Sequence, residues 1–346
     1  MSKIAILGGG AWGTALSVVL ARGRHTHEIA LWVREATVAE SIRETRENKK
    51  YLPGVEIPSR IIASSDLAAT LEHAQIVVGA VPSAHTREVF SIALPQISQD
   101  AIIVSAAKGL EPATHLRMTQ VLEQVCSQRF VPELAVLSGP SFALEAARGE
   151  PTAVVIASAM SYQDLGGVRR YTSRTAEYLQ EQFAGPTFRL YTNDDVVGVE
   201  LAGAMKNVMA IAAGACQGLG LGANSLAALI TRGLSEMTRL ATKVGAKAET
   251  LSGLAGMGDL ILTCHGALSR NRHVGYELGK GRSLDEILQT MSSVAEGVGT
   301  TAALLALGQE FRIELPITEQ VNAILRQWKS PSEAIRDIME RPLKPE

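Results

Sequence analysis

Aromatic residues are scarce, at 4% of 346 positions, so Ala, Leu, Val and Ile must fill whatever core the chain builds. The three cysteines, Cys126, Cys216 and Cys264, are far apart, odd in number and without a C-x-x-C pair. That argues against a disulfide framework and fits a reducing compartment. An excess of one charge sign is also lacking. A formal net charge of -2 leaves no basic field for nucleic acid and no polybasic tail for a membrane surface. The first residues run straight into Ile4-Ala5-Ile6-Leu7 with no secretory signal. The most apolar later stretch, Val196 to Ala215, carries Glu200, Lys206 and Asn207, so it reads poorly as a membrane span. Cys264-His265 has no second ligand pair nearby, so no metal site is expected. No G-x-S-x-G elbow occurs, and Gly275 to Gly281 lacks the spacing and the following Ser or Thr of a Walker loop. No repeat or low-complexity segment is found. The expectation is a cytoplasmic protein with no nucleic-acid partner and no integral membrane segment.

Hydrophobic residues at 46% and charged residues at 20% are the balance of a globular protein, and the length suits two domains. Apolar runs alternate with helical patterns through the first half. Strands are expected at Lys3–Gly8, Glu28–Val33, Gln75–Val81, Ala101–Ala106, Leu134–Leu137, Thr152–Ile156 and Thr187–Tyr191. Runs apolar on both faces suit parallel strands covered by crossover helices on each side. The fold class is α/β: a Rossmann-like doubly wound sheet over residues 1–193. After Tyr191-Thr192-Asn193-Asp194-Asp195 strand-like runs stop and Ala/Leu/Met-rich helical patterns begin, which predicts an all-α domain over 194–346. Its helices are expected at 195–217, 222–245, 269–280, 283–290, 297–309, 317–328 and 331–340.

Gly8, Gly10 and Gly13 form G-x-G-x-x-G between the first strand and a helical pattern. Gly8 serves a tight turn, Gly10 close approach to a pyrophosphate, and Gly13 close helix–strand packing. The helix N-terminus offers unpaired N–H groups to phosphate. A dinucleotide, NADPH or NADH, is therefore expected here. Arg34 stands at the end of the second strand, where an acidic residue binds the ribose of NAD. Either Arg34 holds the 2′-phosphate of NADP, or it is solvated and Glu35 faces the ribose.

Lys108 lies just past a strand end, on the edge where open α/β sheets bind ligands, and Ser138-Gly139-Pro140-Ser141 repeats that strand–turn–helix pattern. Lys108 as a solvated lysine and Ser141 as a helix cap are the plainer readings. Lys206 sits inside an apolar helical segment, with Ala202, Gly203 and Ala210 around it. A buried lysine needs a partner or a lowered pKa, which suits a general acid/base; a lysine snorkelling to the surface is the alternative. Gly256-Met257-Gly258-Asp259 offers a carboxylate on a tight glycine turn. Ser269-Arg270-Asn271-Arg272 gathers donors at a helix start, as a phosphate clamp or as a solvated helix start.

The stretches GGGAWGTAL, SAAKGLE, SGPSFA, VELAGAMKNV, ITRGLSEM, GLAGMGDLILTC, SRNR and VAEGVGT follow one another in a family order. With them the chain resembles the bacterial-type NAD(P)-dependent glycerol-3-phosphate dehydrogenases over essentially its whole length. The resemblance implies reversible reduction of dihydroxyacetone phosphate to sn-glycerol 3-phosphate, the backbone precursor of glycerophospholipids. It implies Lys206 as proton donor and acceptor, and Lys108 facing both cofactor and substrate. Gly139, Ser141, Asp259, Ser269, Arg270 and Asn271 would line the substrate site. Trp12, Arg34, Ala143, Arg270, Val294 and Glu296 would contact the cofactor. It further implies a helical domain of the 6-phosphogluconate-dehydrogenase-like type and a homodimer. Two departures stand out: Gly9 and Ala11 replace an Ala and a small polar residue, and an extra stretch around Ser158–Arg174 is expected to lengthen the last helix of the first domain. Ala11 leaves phosphate binding in the loop chiefly to backbone N–H groups. Two rivals remain: a hydroxyacid dehydrogenase in which Arg270 grips a carboxylate, and a non-catalytic dinucleotide sensor.

Overall fold

Strand residues of alternating parity enter two different apolar layers in the computed structural model. Ile4, Ile6, Ile76 and Val78 pack with helices on one face of a sheet, whereas Ala5, Leu7, Val77 and Ile103 pack with helices on the other. Side chains alternate along a strand, so runs that are apolar at every position need both faces covered. The structure describes residues 2–158, 162–163, 169–170, 174–291 and 294–343. The chain divides into two compact units, Met1–Lys108 with Leu116–Glu200, and Gly109–His115 with Leu201–Glu346.

In the first unit the strands are β1 (Lys3–Leu7), β2 (Glu28–Trp32), β3 (Ile61–Ser64), β4 (Ile76–Gly79), β5 (Ile102–Ser105), β6 (Glu133–Ser138), β7 (Thr152–Ala157), the short β8 (Tyr162–Gln163) and β9 (Arg169–Arg170), and β10 (Phe188–Asn193). The helices are α1 (Ala11–Ala21), α2 (Ala36–Thr45), α3 (Leu67–Leu71), α4 (Thr86–Ala93), α5 (Met118–Cys126), α6 (Ala143–Arg148) and α7 (Arg174–Phe183). The main sheet runs β10-β7-β6-β5-β4-β1-β2-β3. Its β3-β2-β1-β4-β5-β6 part is the doubly wound order, with the switch point between β1 and β4.

Two readings of the sheet need correcting. β7 runs antiparallel to β6, pairing Val136 with Ala157 and Ser138 with Val155. The helix between them has six residues and spans about 9 Å, too little to carry the chain back along a strand of about 20 Å for a parallel return. β3 was not expected: Ile61-Ile62-Ala63-Ser64 is short, and as an edge strand it leaves Ile62 exposed. The extra stretch around Ser158–Arg174 is the one expected to lengthen the last helix of the first domain. Its residues 159–161, 164–168 and 171–173 lie outside the described residues; the described rest includes the antiparallel pair β8–β9, and α7 is described from Arg174 onward.

Every regular element described from residue 201 onward is helical. The long helix α8 (Val196–Gly218) is followed by α9 (Ala223–Val244), α10 (Ala248–Ser252), a π-helical turn at Leu254–Gly258, α11 (Asp259–His265), α12 (Arg270–Gly279), α13 (Leu284–Thr290), α14 (Glu296–Phe311), α15 (Pro316–Leu325) and α16 (Pro331–Met339). The break between units falls at Glu200–Leu201 inside α8, seven residues beyond the change of texture at 193, because a continuous helix carries no sequence mark of a boundary. The expected glycine turn at Gly256–Gly258 is instead the π-helical turn. There a Cβ on Gly256 would lie 2.0 Å from the Leu251 carbonyl oxygen.

α8 is the one described helix long and apolar enough to cross a membrane, and 89% of its most apolar window is buried inside the protein. Its Glu200 carboxylate accepts hydrogen bonds from the Thr119 backbone N–H (2.7 Å) and hydroxyl (2.6 Å) and from Arg117 (2.6 Å), which satisfies a buried charge at the start of α5.

Candidate active site

The loop after β1 turns at Gly8, whose φ of +124° is open to glycine and costly for other residues. A Cβ there would also meet the Ala80 carbonyl oxygen at 2.7 Å, the residue that follows β4 across the switch point. Gly13 lies in the first turn of α1 with its Cβ position 1.9 Å from the Gly8 carbonyl oxygen, so helix and loop touch backbone to backbone. Gly10, the N-cap, has no neighbour within 4 Å of its Cβ position, and no side chain caps the helix. The first-turn N–H groups, with Ala11 and Trp12 among them, thus face open space at the positive end of a helix dipole. Trp12 is partly buried with its indole Nε1 lacking a hydrogen-bond partner. A glycine cradle, an uncapped helix start and an orphaned indole N–H fit a dinucleotide diphosphate.

Gly9 has its own reason. Its Cβ position lies 2.5 Å from a Val33 methyl, so the usual alanine would require Val33 to move. The loop is braced by a residue the sequence did not flag. Asn48, fully buried, donates to the Gly9 carbonyl (2.9 Å) and to the Thr14 hydroxyl (2.8 Å). An Asn between α2 and β3 looks like an ordinary loop residue until the chain is folded.

At the end of β2, Arg34 is exposed. Glu35 is already engaged: its carboxylate accepts from the Tyr51 hydroxyl at 2.5 Å and from Lys50 at 2.6 Å, and the Lys50 hydrogen bond is the largest cause holding its carboxyl below the usual range. Elsewhere in this unit, Lys108 donates to the Gly139 carbonyl (2.8 Å) and reaches the Ser141 hydroxyl (3.4 Å), which itself donates to Gly139 (3.0 Å). Lys108, Gly139 and Ser141 therefore form one cluster, and Lys108 is part-buried rather than a solvated lysine. Ser141 does not cap α6; that position is Phe142, and Ala143 begins the helix.

In the second unit Lys206 is 5% exposed, and its Nζ donates to Asp259 Oδ1 at 2.5 Å and to Thr263 Oγ1 at 2.9 Å. Asp259 and Thr263 stand one turn apart on α11, on the same face, and the Thr263 hydroxyl donates to the Asp259 carbonyl at 2.6 Å. The π-helical turn delivers Asp259 to that face. Lys206 thus does not snorkel; it is held in the interior by a carboxylate and a hydroxyl. Thr263 was missed by the sequence reading because a Thr inside LILTCH has no motif of its own. Cys264 beside this group is inert: burial pushes its thiol up to about 12.

The Ser269–Arg272 run serves several tasks. Ser269 is the N-cap of α12, its hydroxyl accepting from the Arg272 N–H at 3.2 Å. Asn271 is buried and donates to Asn207 Oδ1 (2.9 Å), while its own Oδ1 accepts from the Gly297 N–H (2.9 Å). Asn207, next to the lysine, is another residue the sequence reading did not single out. The Arg272 side chain turns away to Gly266 and Gln217. Arg270, exposed in the first turn of α12, is the arginine of the run left facing solvent. Val294 and Glu296 lie at the start of α14, beside Gly297. No cluster of three or more His, Cys, Asp or Glu side chains suited to a metal occurs among the described residues.

The expected site residues thus form two groups. Gly8, Gly10, Ala11, Trp12, Gly13, Arg34, Lys108, Gly139, Ser141 and Ala143 lie in the first unit, and Lys206, Asp259, Ser269, Arg270, Asn271, Val294 and Glu296 in the second.

A doubly wound sheet with an open glycine cradle, joined to a helical unit that buries a lysine–carboxylate pair, defines a nicotinamide-dependent dehydrogenase. The sequence matches the N-terminal model of the NAD-dependent glycerol-3-phosphate dehydrogenases over residues 3–163 and the C-terminal model over residues 195–336. The chain belongs to this family. It is 52% identical over 343 residues to a glycerol-3-phosphate dehydrogenase (NAD(P)+) of Koribacter versatilis, covering 99% of this chain and 98% of that one. It is 50% identical over 347 residues to its counterpart in Acidobacterium capsulatum, with 99% of each chain covered. The crystal structure of glycerol-3-phosphate dehydrogenase from Coxiella burnetii superposes with a TM-score of 0.90 at 40% identity, covering 98% of this chain and 99% of that one.

Proposed function

We propose that the protein catalyses the reversible NAD(P)H-dependent reduction of dihydroxyacetone phosphate to sn-glycerol 3-phosphate, supplying the backbone for glycerophospholipid synthesis. The observation that carries this reading is the buried Lys206 ammonium, held at 2.5 Å by Asp259 and at 2.9 Å by Thr263. The first unit is the cofactor domain, with Gly8, Gly10, Gly13 and the backbone at Ala11 and Trp12 holding the diphosphate and Arg34 the 2′-phosphate when the cofactor is NADPH. Ala143, Val294 and Glu296 are further cofactor contacts in this reading. When bound, the reduced nicotinamide supplies a hydride to the substrate's carbonyl carbon. Lys206 delivers a proton to the carbonyl oxygen as that hydride arrives, and in the reverse direction takes it from the alcohol. Asp259 and Thr263 fix the Nζ and balance its charge, so that little reorganisation accompanies proton transfer. Lys108, with Gly139 and Ser141, gives a second cation for developing oxyanion charge. Arg270, beside the Ser269 and Asn271 start of α12, takes the phosphate.

The test is NADPH and NADH oxidation followed with dihydroxyacetone phosphate and with a panel of 2- and 3-keto acids. Turnover of the phosphorylated ketone alone is expected; preference for a keto acid would overturn the reading, and no turnover of any would favour a dinucleotide sensor. All three cysteines are buried free thiols, in keeping with the cytoplasm as its location. A homodimer is the assembly we propose, and a monomer mass by light scattering would refute it.

A further inference from the structure

α8 and α12 meet in a ladder of constant offset. Asn207 faces Asn271, Ile211 faces Gly275 and Ala215 faces Gly279, each pair 64 residues apart. The first rung is the hydrogen bond that the Asn271 side-chain amide donates to Asn207 Oδ1 at 2.9 Å. At the next two there is no side chain on the α12 side. A Cβ on Gly275 would stand 1.9 Å from the Ile211 carbonyl oxygen, and one on Gly279 2.6 Å from that of Ala215. α8 reciprocates: a Cβ on Gly214 would lie 1.9 Å from the Arg272 carbonyl oxygen, and one on Gly218 2.3 Å from that of Tyr276. Gly214 and Gly218 share one face of α8, and Gly275 and Gly279 one face of α12, since residues four apart stack on a helix. The two backbones are in direct contact, with no flexible side chain between them to absorb a shift.

The ladder ascends in the same direction on both helices. Lys206 precedes it on α8 and Arg270 precedes it on α12, so the seam fixes the separation of the two groups. A second, independent contact acts on the same point. The Arg272 Nε donates to the Gly266 carbonyl at 3.0 Å, and its guanidinium also donates to Gln217 Oε1 on α8. The Ser269 N–H donates to that same Gly266 carbonyl at 3.2 Å, and the Arg272 N–H donates to the Ser269 hydroxyl. The turn that launches α12 is thereby tied to α8 through one side chain.

Resting on the phosphate role given to Arg270 above, we propose that Arg272 is a positioning residue. Together with the Gly214/Gly218–Gly275/Gly279 seam it sets the distance between Lys206 and the phosphate-binding start of α12, and so matches the site to a substrate whose phosphate lies a fixed length from the reacting oxygen. The spacing of Gly275 and Gly279, within a run that fits no phosphate loop, is explained by this packing.

The test uses the full chain, with NADPH in excess, and compares dihydroxyacetone phosphate with dihydroxyacetone, which lacks the phosphate. Arg272→Ala is expected to raise KM for the phosphorylated substrate on the order of tenfold while kcat/KM for dihydroxyacetone is unchanged. Arg272→Lys, which keeps a donor but not the fork, recovers part of the loss. Gln217→Ala, on the partner side of the bridge, shifts KM in the same direction and keeps the question answerable if Arg272→Ala fails to fold. Equal loss on both substrates would mean a merely structural role and overturn the proposal. Arg270→Ala separates the two ideas. If it leaves KM for the phosphorylated substrate unchanged, the phosphate role itself fails and this proposal with it. If it raises KM while Arg272→Ala and Gln217→Ala do not, only the positioning role fails.

Discussion

The Lys206 ammonium and the Asp259 carboxylate meet at 2.5 Å in the interior of the helical unit, with Asp259 1% exposed. Removing one partner from such a pair leaves the other charge buried and uncompensated, at a cost of about 3–5 kcal/mol. Lys206→Ala is therefore expected to lower kcat by about 10²- to 10⁴-fold and to lower stability as well. The double variant Lys206→Met with Asp259→Leu separates the effects, because it replaces the pair by apolar side chains. It should recover much of the lost Tm and none of the activity. Activity returning together with stability would show that Lys206 is structural.

That pair also shows how far the sequence could be read. An isolated lysine in VELAGAMKNV demands a partner, and the demand was legible; which carboxylate answers it was legible only through family order. Thr263, Asn207 and Asn48 were not legible, because each acts by a contact across 34 to 64 residues of chain and none sits in a motif. The doubly wound sheet followed from apolar runs alternating with helical patterns, although the short edge strand β3 did not. The antiparallel β7 did not, because strand direction depends on how far the preceding helix travels, and a six-residue α6 looks in sequence like the start of a longer one. The helices α10 and α11 escaped notice because the glycines around them read as turns, whereas Gly256 is used for close packing.

Gly10 and Gly13 are separable in their tasks. Gly13→Ala would put a Cβ 1.9 Å from the Gly8 carbonyl oxygen and must push α1 off its loop, so both Tm and cofactor affinity are expected to fall. Gly10→Ala meets no protein atom within 4 Å. It should leave the unfolding free energy of the cofactor-free protein within about 1 kcal/mol of wild type while weakening NADPH binding at least tenfold, since the methyl takes the space a diphosphate would occupy. Thermal melts with and without NADPH check both; a Gly10→Ala protein that binds normally would remove the diphosphate from this loop.

Arg34 and Glu35 differ in what each is expected to do for the two cofactors. With its carboxylate held by Tyr51 and Lys50, Glu35 is not disposed to read a ribose. Arg34→Ala should raise the NADPH KM on the order of tenfold, the scale of a charge-assisted hydrogen bond, and leave the NADH KM unchanged. Glu35→Gln should change neither by more than about twofold. A rise in the NADH KM on Glu35→Gln would instead assign the ribose to Glu35.

His27, 3% exposed just before β2, places a titration inside the first unit. Burial is the largest cause lowering its imidazole from the ordinary 6.5, with the neighbouring His25 adding to it and the Gln182 and Ser2 carbonyls opposing. Its Nε2 donates to the Gln182 carbonyl at 3.0 Å, linking β2 to the end of α7. Because the folded-state value lies below the unfolded one, the unfolded chain takes up the proton first. The stabilisation is fully present above about pH 6.5 and is lost as pH falls from there through the folded value. His27→Gln keeps a donor for Gln182 and removes the titration. Tm measured from pH 8 down to pH 5 should fall more steeply for wild type than for the variant, the two curves converging or crossing on the acid side. Parallel curves across that range would show that His27 contributes nothing to the acid sensitivity of the fold.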